Sequence, residues 1–316
     1  MSYYNKLTEI IKDKRPSLKA SSIDLYVRNM RKLAELSEVK FENVDFLNYP
    51  KKIASLLITK SLHTRKTYYA SIVVVLMAID GDEDIIEIYR TEMDALQEFY
   101  AKEKNNNTKS KKMEDNWVEY TDMLDIMNKL RKNVAHEGIF TKTEPSKKDM
   151  ALAQQLVIAS LYLLEPEDNP PVRLNYIMEI IKEKDYKKIN EPSKNYLVVK
   201  SRNNKYFAFN DYKTSGTYKD KEIKVGKKLN TLLNNWLKIN KSGYLLLNNK
   251  DEPLTSNGLT KALNKIFKGT GKNISASMIR HSYLSYRYGA STEDKKIIAE
   301  AMLHSVGEQN GYVKTN

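Results

Sequence analysis

Residues 104–112 read Lys-Asn-Asn-Asn-Thr-Lys-Ser-Lys-Lys. Nine consecutive positions without one apolar side chain cannot carry a core across them, so the chain has to fold as two bodies joined by a flexible, cationic connection. Its 316 residues suit two domains of ordinary size. The expected boundaries are 1–104, a linker at 105–112, and 113–316. Before the linker the pattern is helical. Ser21 and Ser22 can cap a helix in which Ile23, Tyr26, Val27, Met30, Leu33, Ala34 and Leu36 recur at helical spacing. Further helices are expected over about His63–Ile79 and Asp84–Lys104, broken at Gly81, which makes the first part a small helical bundle.

After the linker, helices are expected over Trp117–Val134 and Lys148–Leu164, the second ending before Pro166, Pro170 and Pro171. The following Val-Arg-Leu-Asn-Tyr-Ile-Met-Glu-Ile-Ile also reads as helical. The period then changes: residues 196–200, 205–213 and 221–226 are short β-type runs separated by turn residues, a three-stranded meander. Helical patterns return at Lys227–Ile239, Ser256–Phe267, Ser275–Tyr288 and Ser291–Leu303. The fold class is therefore mainly α with a small antiparallel β-sheet.

Lys and Arg number 53 against 40 Asp and Glu, a formal charge of +13. Residues 1–112 hold 20 basic and 16 acidic side chains and the rest hold 33 and 24, so both parts share the excess. A polyanion, nucleic acid first, is the partner this suggests, although lysine-rich solvated surface or an AT-rich genome yields similar counts. There is no cysteine, which excludes disulfide scaffolds, thiolate metal sites and cysteine nucleophiles. The histidines, at 63, 136, 281 and 304, show no metal-ligand spacing, and no phosphate-cradling glycine motif occurs. Neither metal nor cofactor is expected. The best apolar run, Ser71–Ile79, is too short for a bilayer, and the N-terminus lacks a secretory pattern. An intracellular, DNA-associated location without a membrane partner is expected, nucleus against cytoplasm left open.

One set of residues carries chemistry. Arg173 follows the double proline, Lys213 lies in Asn-Asp-Tyr-Lys-Thr-Ser-Gly-Thr-Tyr-Lys, Arg280 in Ser-Ala-Ser-Met-Ile-Arg-His-Ser-Tyr, and His304 and Tyr312 in Ala-Met-Leu-His-Ser-Val-Gly-Glu-Gln-Asn-Gly-Tyr. This order of Arg, Lys, Arg, His, Tyr resembles the tyrosine recombinase (phage-integrase) family over residues 113–316, and the first part looks like that family's helical core-binding DNA-binding domain. The resemblance implies a catalytic domain of the DNA breaking-rejoining fold, attachment of Tyr312 to a 3′ phosphate, release of a 5′ hydroxyl, and recombination through a Holliday junction with neither metal nor ATP.

The chemistry of the set makes sense by itself. Attack on a phosphodiester builds charge on its non-bridging oxygens, and guanidinium forks match those oxygens and stay charged. A phenol nucleophile conserves the energy of the broken link in a phosphotyrosyl bond. Free tyrosine is protonated at neutral pH, so surrounding cations must favour proton loss. Lys213 suits the general acid for the leaving oxygen, with Lys219 and Lys221 as rivals, and His304 suits a hydrogen bond to phosphate or assistance in proton transfer. Three supporting candidates complete the set. Ser277 stands where the family usually has a histidine, and cannot act as an imidazole base. His281 follows Arg280 and is expected to point elsewhere on the helix as a structural hydrogen-bonder. Asn175 stands where an acidic residue is usual and could orient Arg173, with Glu179 as a weaker candidate.

The partner implied is double-stranded DNA, gripped by a clamp of two domains, with a homotetramer in synapsis and the free chain a candidate monomer. Arg28, Arg65, Lys66, Lys109, Lys111 and Lys112 are candidates for phosphate contact. The Lys and Asn usage and the Pro-Pro-Val-Arg-Leu-Asn-Tyr box bring to mind integrases of large DNA viruses and mobile elements. Two alternatives share the same residues: a type IB topoisomerase, and an inactive relative that only binds DNA or junctions.

Overall fold

The computed structural model describes residues 2–105, 109–213, 215, 221–287, 299, 302, 303 and 312. The chain divides into two compact units, Met1–Asn106 and Asn107–Asn316. Among the described residues it is mainly helical with one four-stranded sheet, and no helix is long and apolar enough to cross a membrane.

The first unit is a bundle of α1 (Tyr3–Lys14), α2 (Ala20–Leu36), α3 (Pro50–Leu57), α4 (Leu62–Ala78) and α5 (Glu83–Asn105). In α2 the buried residues are Ile23, Val27, Met30, Leu33 and Ala34, one stripe at three- and four-residue spacing. Ser21 and Ser22 do not cap this helix. Lys19 holds the N-cap position, and its carbonyl already accepts from the Ser22 and Ile23 amides, so the serines fall inside the first turn. Helix α4 begins behind Ser61, whose hydroxyl accepts from the Thr64 amide. It buries Tyr69, Ile72, Val73, Val75, Leu76 and Ala78, too wide an arc for a surface helix, and is the centre of the bundle. Tyr89 of α5 donates its hydroxyl to the Leu47 carbonyl at 2.7 Å and closes the far side.

The second unit begins with α6 (Lys111–Asp115), capped by Ser110, so Lys111 and Lys112 are helical where the sequence suggested open linker. Partial burial of Met113 against the core of this unit gives that turn its anchor. Next come α7 (Tyr120–His136) and α8 (Lys147–Leu163), the latter opened by a reciprocal capping box of Ser146 and Asp149. The Lys142 ammonium, with the hydroxyl and backbone amide of Ser146, holds the Asp149 carboxyl down to about 2. Every residue of α8 from Leu156 to Leu163 is buried. It is the axis of the unit, with α10 (Lys227–Ile239) and α11 (Ser256–Ile266) packed against it.

The segment after α8 corrects the sequence reading. Val172–Met178 is irregular rather than helical, and Glu179–Lys182 is a strand, β1. Proline fixes φ and bars its predecessor from the helical region, so Pro170 and Pro171 stop the helix. The β-branched Ile180 and Ile181 then pair with a strand that lies fourteen or more residues ahead, a partner periodicity cannot reveal. Glu179–Lys182 runs parallel to β2 (Tyr196–Ser201), while β3 (Asn204–Phe209) and β4 (Lys221–Lys224) continue antiparallel in the order β1-β2-β3-β4. The sheet is therefore mixed, not antiparallel throughout. Leu197, Phe207 and Phe209 face the main core, and Tyr196, Val198 and Ala208 face the other side, under Tyr186 and Ile189 at and beyond the short α9 (Glu183–Tyr186). The last regular element is α12 (Ala276–Arg287). Of the helix expected over 291–303, only Ala299, Met302 and Leu303 are described, all buried.

One buried cation belongs to the fold. Lys205 on β3 is 2% exposed and donates to the Arg202 carbonyl and the side-chain oxygens of Asn230 and Asn234 at 2.6–2.9 Å. Burial, with the nearby Arg202 charge, pushes its ammonium down to about 8 from 10.5. A base whose folded value is lowered binds fewer protons folded than unfolded between those limits, so its contribution to stability rises as pH climbs from 8 towards 10.5. Both tryptophans, Trp117 and Trp236, lie in this unit. Urea unfolding followed by their fluorescence should show that upward contribution in the parent, and Lys205→Met should lack it.

Candidate active site

Arg173 lies on the irregular strip between Pro171 and β1, and the fold holds that strip at several points. The Tyr162 hydroxyl of α8, a wholly buried ring, donates to the Arg173 carbonyl at 2.9 Å. Burial pushes the Tyr162 phenol well up, the neighbouring Tyr176 adds to this, and the Arg280 charge opposes it.

Arg280 is wholly buried on α12. Its helix is anchored on both sides. The Ser282 hydroxyl donates to the Val118 carbonyl at 2.9 Å, the Tyr283 hydroxyl to the Pro166 carbonyl at 3.4 Å, and Arg287 pairs with Glu167 at 3.0 Å. Two of those three contacts reach the turn that leads into the Arg173 strip, so the two arginines are held in one register.

Tyr312 completes the group. Its ring is 8% exposed and lies under the Arg280 guanidinium, 4.5 Å from Cζ to ring centroid. Arg173 Nη2 donates to its hydroxyl oxygen, 3.4 Å from nitrogen to oxygen. The His281 ring packs on the same phenol with centroids 4.5 Å apart, and His281 Nδ1 lies 2.9 Å from the Tyr312 carbonyl oxygen. Two guanidiniums, an imidazole and a phenol from positions 139 residues apart thus meet in one place. A phosphate there would find two planar, permanently charged donors beside an oxygen nucleophile.

The other expected residues stand differently. Lys213 is exposed in the β3–β4 connection, just past buried Tyr212. The tight β2–β3 turn is also basic, with Lys200, Arg202 and the buried Lys205 around it. Ser277 is exposed in the first turn of α12. Asn175 turns its amide nitrogen to the Asp211 carbonyl at 3.4 Å. Glu179, the weaker candidate for the acidic position, pairs with Lys194 at 2.6 Å on β1. His304 lies outside the described residues, as does Lys219. Among the phosphate-contact candidates, Arg28 pairs with Asp24 at 2.8 Å, Lys109 lies 4.2 Å over the Trp117 ring, Lys111 and Lys112 are exposed on α6, and Arg65 and Lys66 are half-buried near the start of α4.

Sequence reasoning missed Asn195. Its amide nitrogen donates to the Asn175 and Asp211 carbonyls at 3.2 and 2.9 Å, and its oxygen accepts from the Asn210 and Asp211 amides at 2.9 Å each. One side chain so ties the Arg173 strip to the root of the turn that carries Lys213. Its only signal in the sequence is a polar residue directly before an apolar strand. Asn195→Ala would strand buried backbone groups at about 1 kcal/mol or more each. Tryptophan-monitored urea unfolding should show a loss of about 3 kcal/mol.

No family model and no curated protein matches the chain. Among solved structures the chain is similar to XerA recombinase, at 12% identity and a TM-score of 0.39, over 99% of this chain and 94% of that one. A likeness of that size decides nothing about activity, and the roles assigned next rest on this chain's own residues.

Proposed function

We propose that the chain is a DNA strand transferase of the tyrosine-recombinase type, with residues 113–316 as the catalytic domain and residues 1–104 as a helical DNA-binding domain joined to it by the basic linker. The observation that carries this reading is the meeting of Arg173, Arg280 and Tyr312. In the reaction the Tyr312 oxygen attacks phosphorus, a P–O bond to tyrosine forms, and the bond to the 5′ oxygen breaks. Arg173 and Arg280 donate to the non-bridging oxygens as charge accumulates there. The phenol loses its proton and the leaving 5′ oxygen gains one, Lys213 being the donor and His304 an aid at the phosphate. Rejoining is the same step in reverse with a new 5′ hydroxyl, so site-specific recombination through a Holliday junction needs neither metal nor ATP. Double-stranded DNA is the substrate, and a tetramer of chains would hold two duplexes.

The test uses a pool of random-sequence duplexes nicked close to possible break sites, so that the short downstream fragment bearing the released 5′ hydroxyl diffuses away and cleavage is trapped. Covalent protein–DNA adducts are expected, with peptide mass spectrometry placing the nucleotide on Tyr312. Sequencing of the trapped DNA gives the target site. Relaxation of a supercoiled plasmid without exchange between two such sites would favour a topoisomerase, and DNA binding without any adduct would favour an inactive binder.

A further inference from the structure

We propose that His281 is a positioning residue for the nucleophile, an inference that rests on the strand-transfer reading above. A carbonyl oxygen bears no proton, so the 2.9 Å contact with the Tyr312 carbonyl requires the hydrogen to be on His281 Nδ1. That hydrogen is present in the imidazolium and in one of the two neutral tautomers, so the bond survives protonation of the ring. The imidazole also flanks the phenol it serves, with ring centroids 4.5 Å apart and planes tilted by 42°. Main chain and side chain of Tyr312 are therefore fixed by one residue, at the carbonyl and at the face of the ring.

The lever is short and its base is firm. Tyr312 joins carbonyl and phenol through two rotatable side-chain bonds, so holding both ends leaves the hydroxyl little freedom except towards Arg173 Nη2. His281 itself rides on α12 between Arg280 and Ser282, whose hydroxyl is bonded to the Val118 carbonyl. The same helical turn thus presents a guanidinium for the phosphate and a clamp for the attacking residue. An error of about 1 Å in the placement of reacting groups can cost about a hundredfold in rate.

Three variants separate the two contacts. His281→Asn keeps an N–H at nearly the Nδ1 position and loses the ring, His281→Phe keeps a ring and loses the donor, and His281→Ala loses both. Each is compared with the parent in single-turnover cleavage of a nicked duplex at saturating DNA, alongside the Kd for that duplex and tryptophan-monitored unfolding. The expected result is that cleavage falls about a hundredfold in His281→Ala, about tenfold in His281→Phe and less than about threefold in His281→Asn, while Kd and stability stay near the parent's. Cleavage by His281→Ala at the parent's rate would overturn the proposal. So would His281→Phe at the parent's rate with His281→Asn as slow as His281→Ala, or losses of cleavage that merely follow losses of stability or DNA binding. A parent that forms no adduct brings down the strand-transfer reading and this inference with it, whereas an active parent with an equally active His281→Ala removes this inference alone.

Discussion

Tyr312→Phe is expected to fold and bind DNA as the parent does and to form no covalent adduct at all. The substitution removes one oxygen and leaves the ring, so the stacking under Arg280 and against His281 is retained. Contacts of that kind are worth about 0.5–2 kcal/mol, and keeping them keeps the ring in place. What is lost is the phenol oxygen, the atom that the strand-transfer reading makes the nucleophile. Deleting a nucleophile outright lowers rates by about 10⁶ where a catalytic group acts as a unit, far below what trapping on a nicked duplex detects. The comparison separates two meanings of the same geometry. A terminal tyrosine that only docks the end of the chain would stack on a cation in the same way, and its hydroxyl would be dispensable. Adduct formation by Tyr312→Phe at the parent's level would give Tyr312 that docking role and require another nucleophile among the chain's 21 tyrosines.

The sequence offers Arg173, Lys213, Arg280, His304 and Tyr312 as one set through a family resemblance; the structure brings Arg173, Arg280 and Tyr312 into contact, Lys213 is exposed in the β3–β4 connection, and His304 lies outside the described residues. Helices were legible where a period of 3.6 survives, as in α10, whose Leu229, Leu233 and Trp236 form one buried stripe. The strip from Val172 to Ile181 reads as helical in the sequence and is not, because its structure is imposed from outside. Tyr162 fixes its backbone at one end, and pairing with Tyr196–Val199 draws Ile180 and Ile181 into a sheet at the other. The same limitation hid Asn195, whose four partners come from two distant segments. His281 was expected to point away from its neighbour, since adjacent helical residues diverge by about 100°. It does diverge from Arg280, yet both reach Tyr312. The Tyr312 phenol lies under Arg280 while its carbonyl meets His281.

Arg280→Met supplies the second large effect, and it tells a catalytic arginine from a structural one. Methionine fills much of the same volume without charge and packs well against an aromatic ring, so the Tyr312 phenol keeps a neighbour. A guanidinium with 0% exposure has given up its hydration, a cost of several kcal/mol. Removing one buried ion alone costs up to about 3–5 kcal/mol through the partner it leaves behind, and a methionine of similar volume keeps the packing that would otherwise be lost as well. The variant, followed by tryptophan fluorescence in urea, should therefore remain folded, with a loss below about 5 kcal/mol. Cleavage should not survive in the same way. Loss of one fixed donor to an accumulating oxyanion costs about 3 kcal/mol, roughly a hundredfold, and here a full positive charge is lost with it. Arg280→Lys, which restores the charge without the planar fork, should recover only part of the rate. A folded variant with chemistry abolished is the signature of a cation held in its buried position for the sake of a phosphate. Parallel collapse of both in Arg280→Met would assign Arg280 to the scaffold and leave Arg173 as the single guanidinium at the phenol.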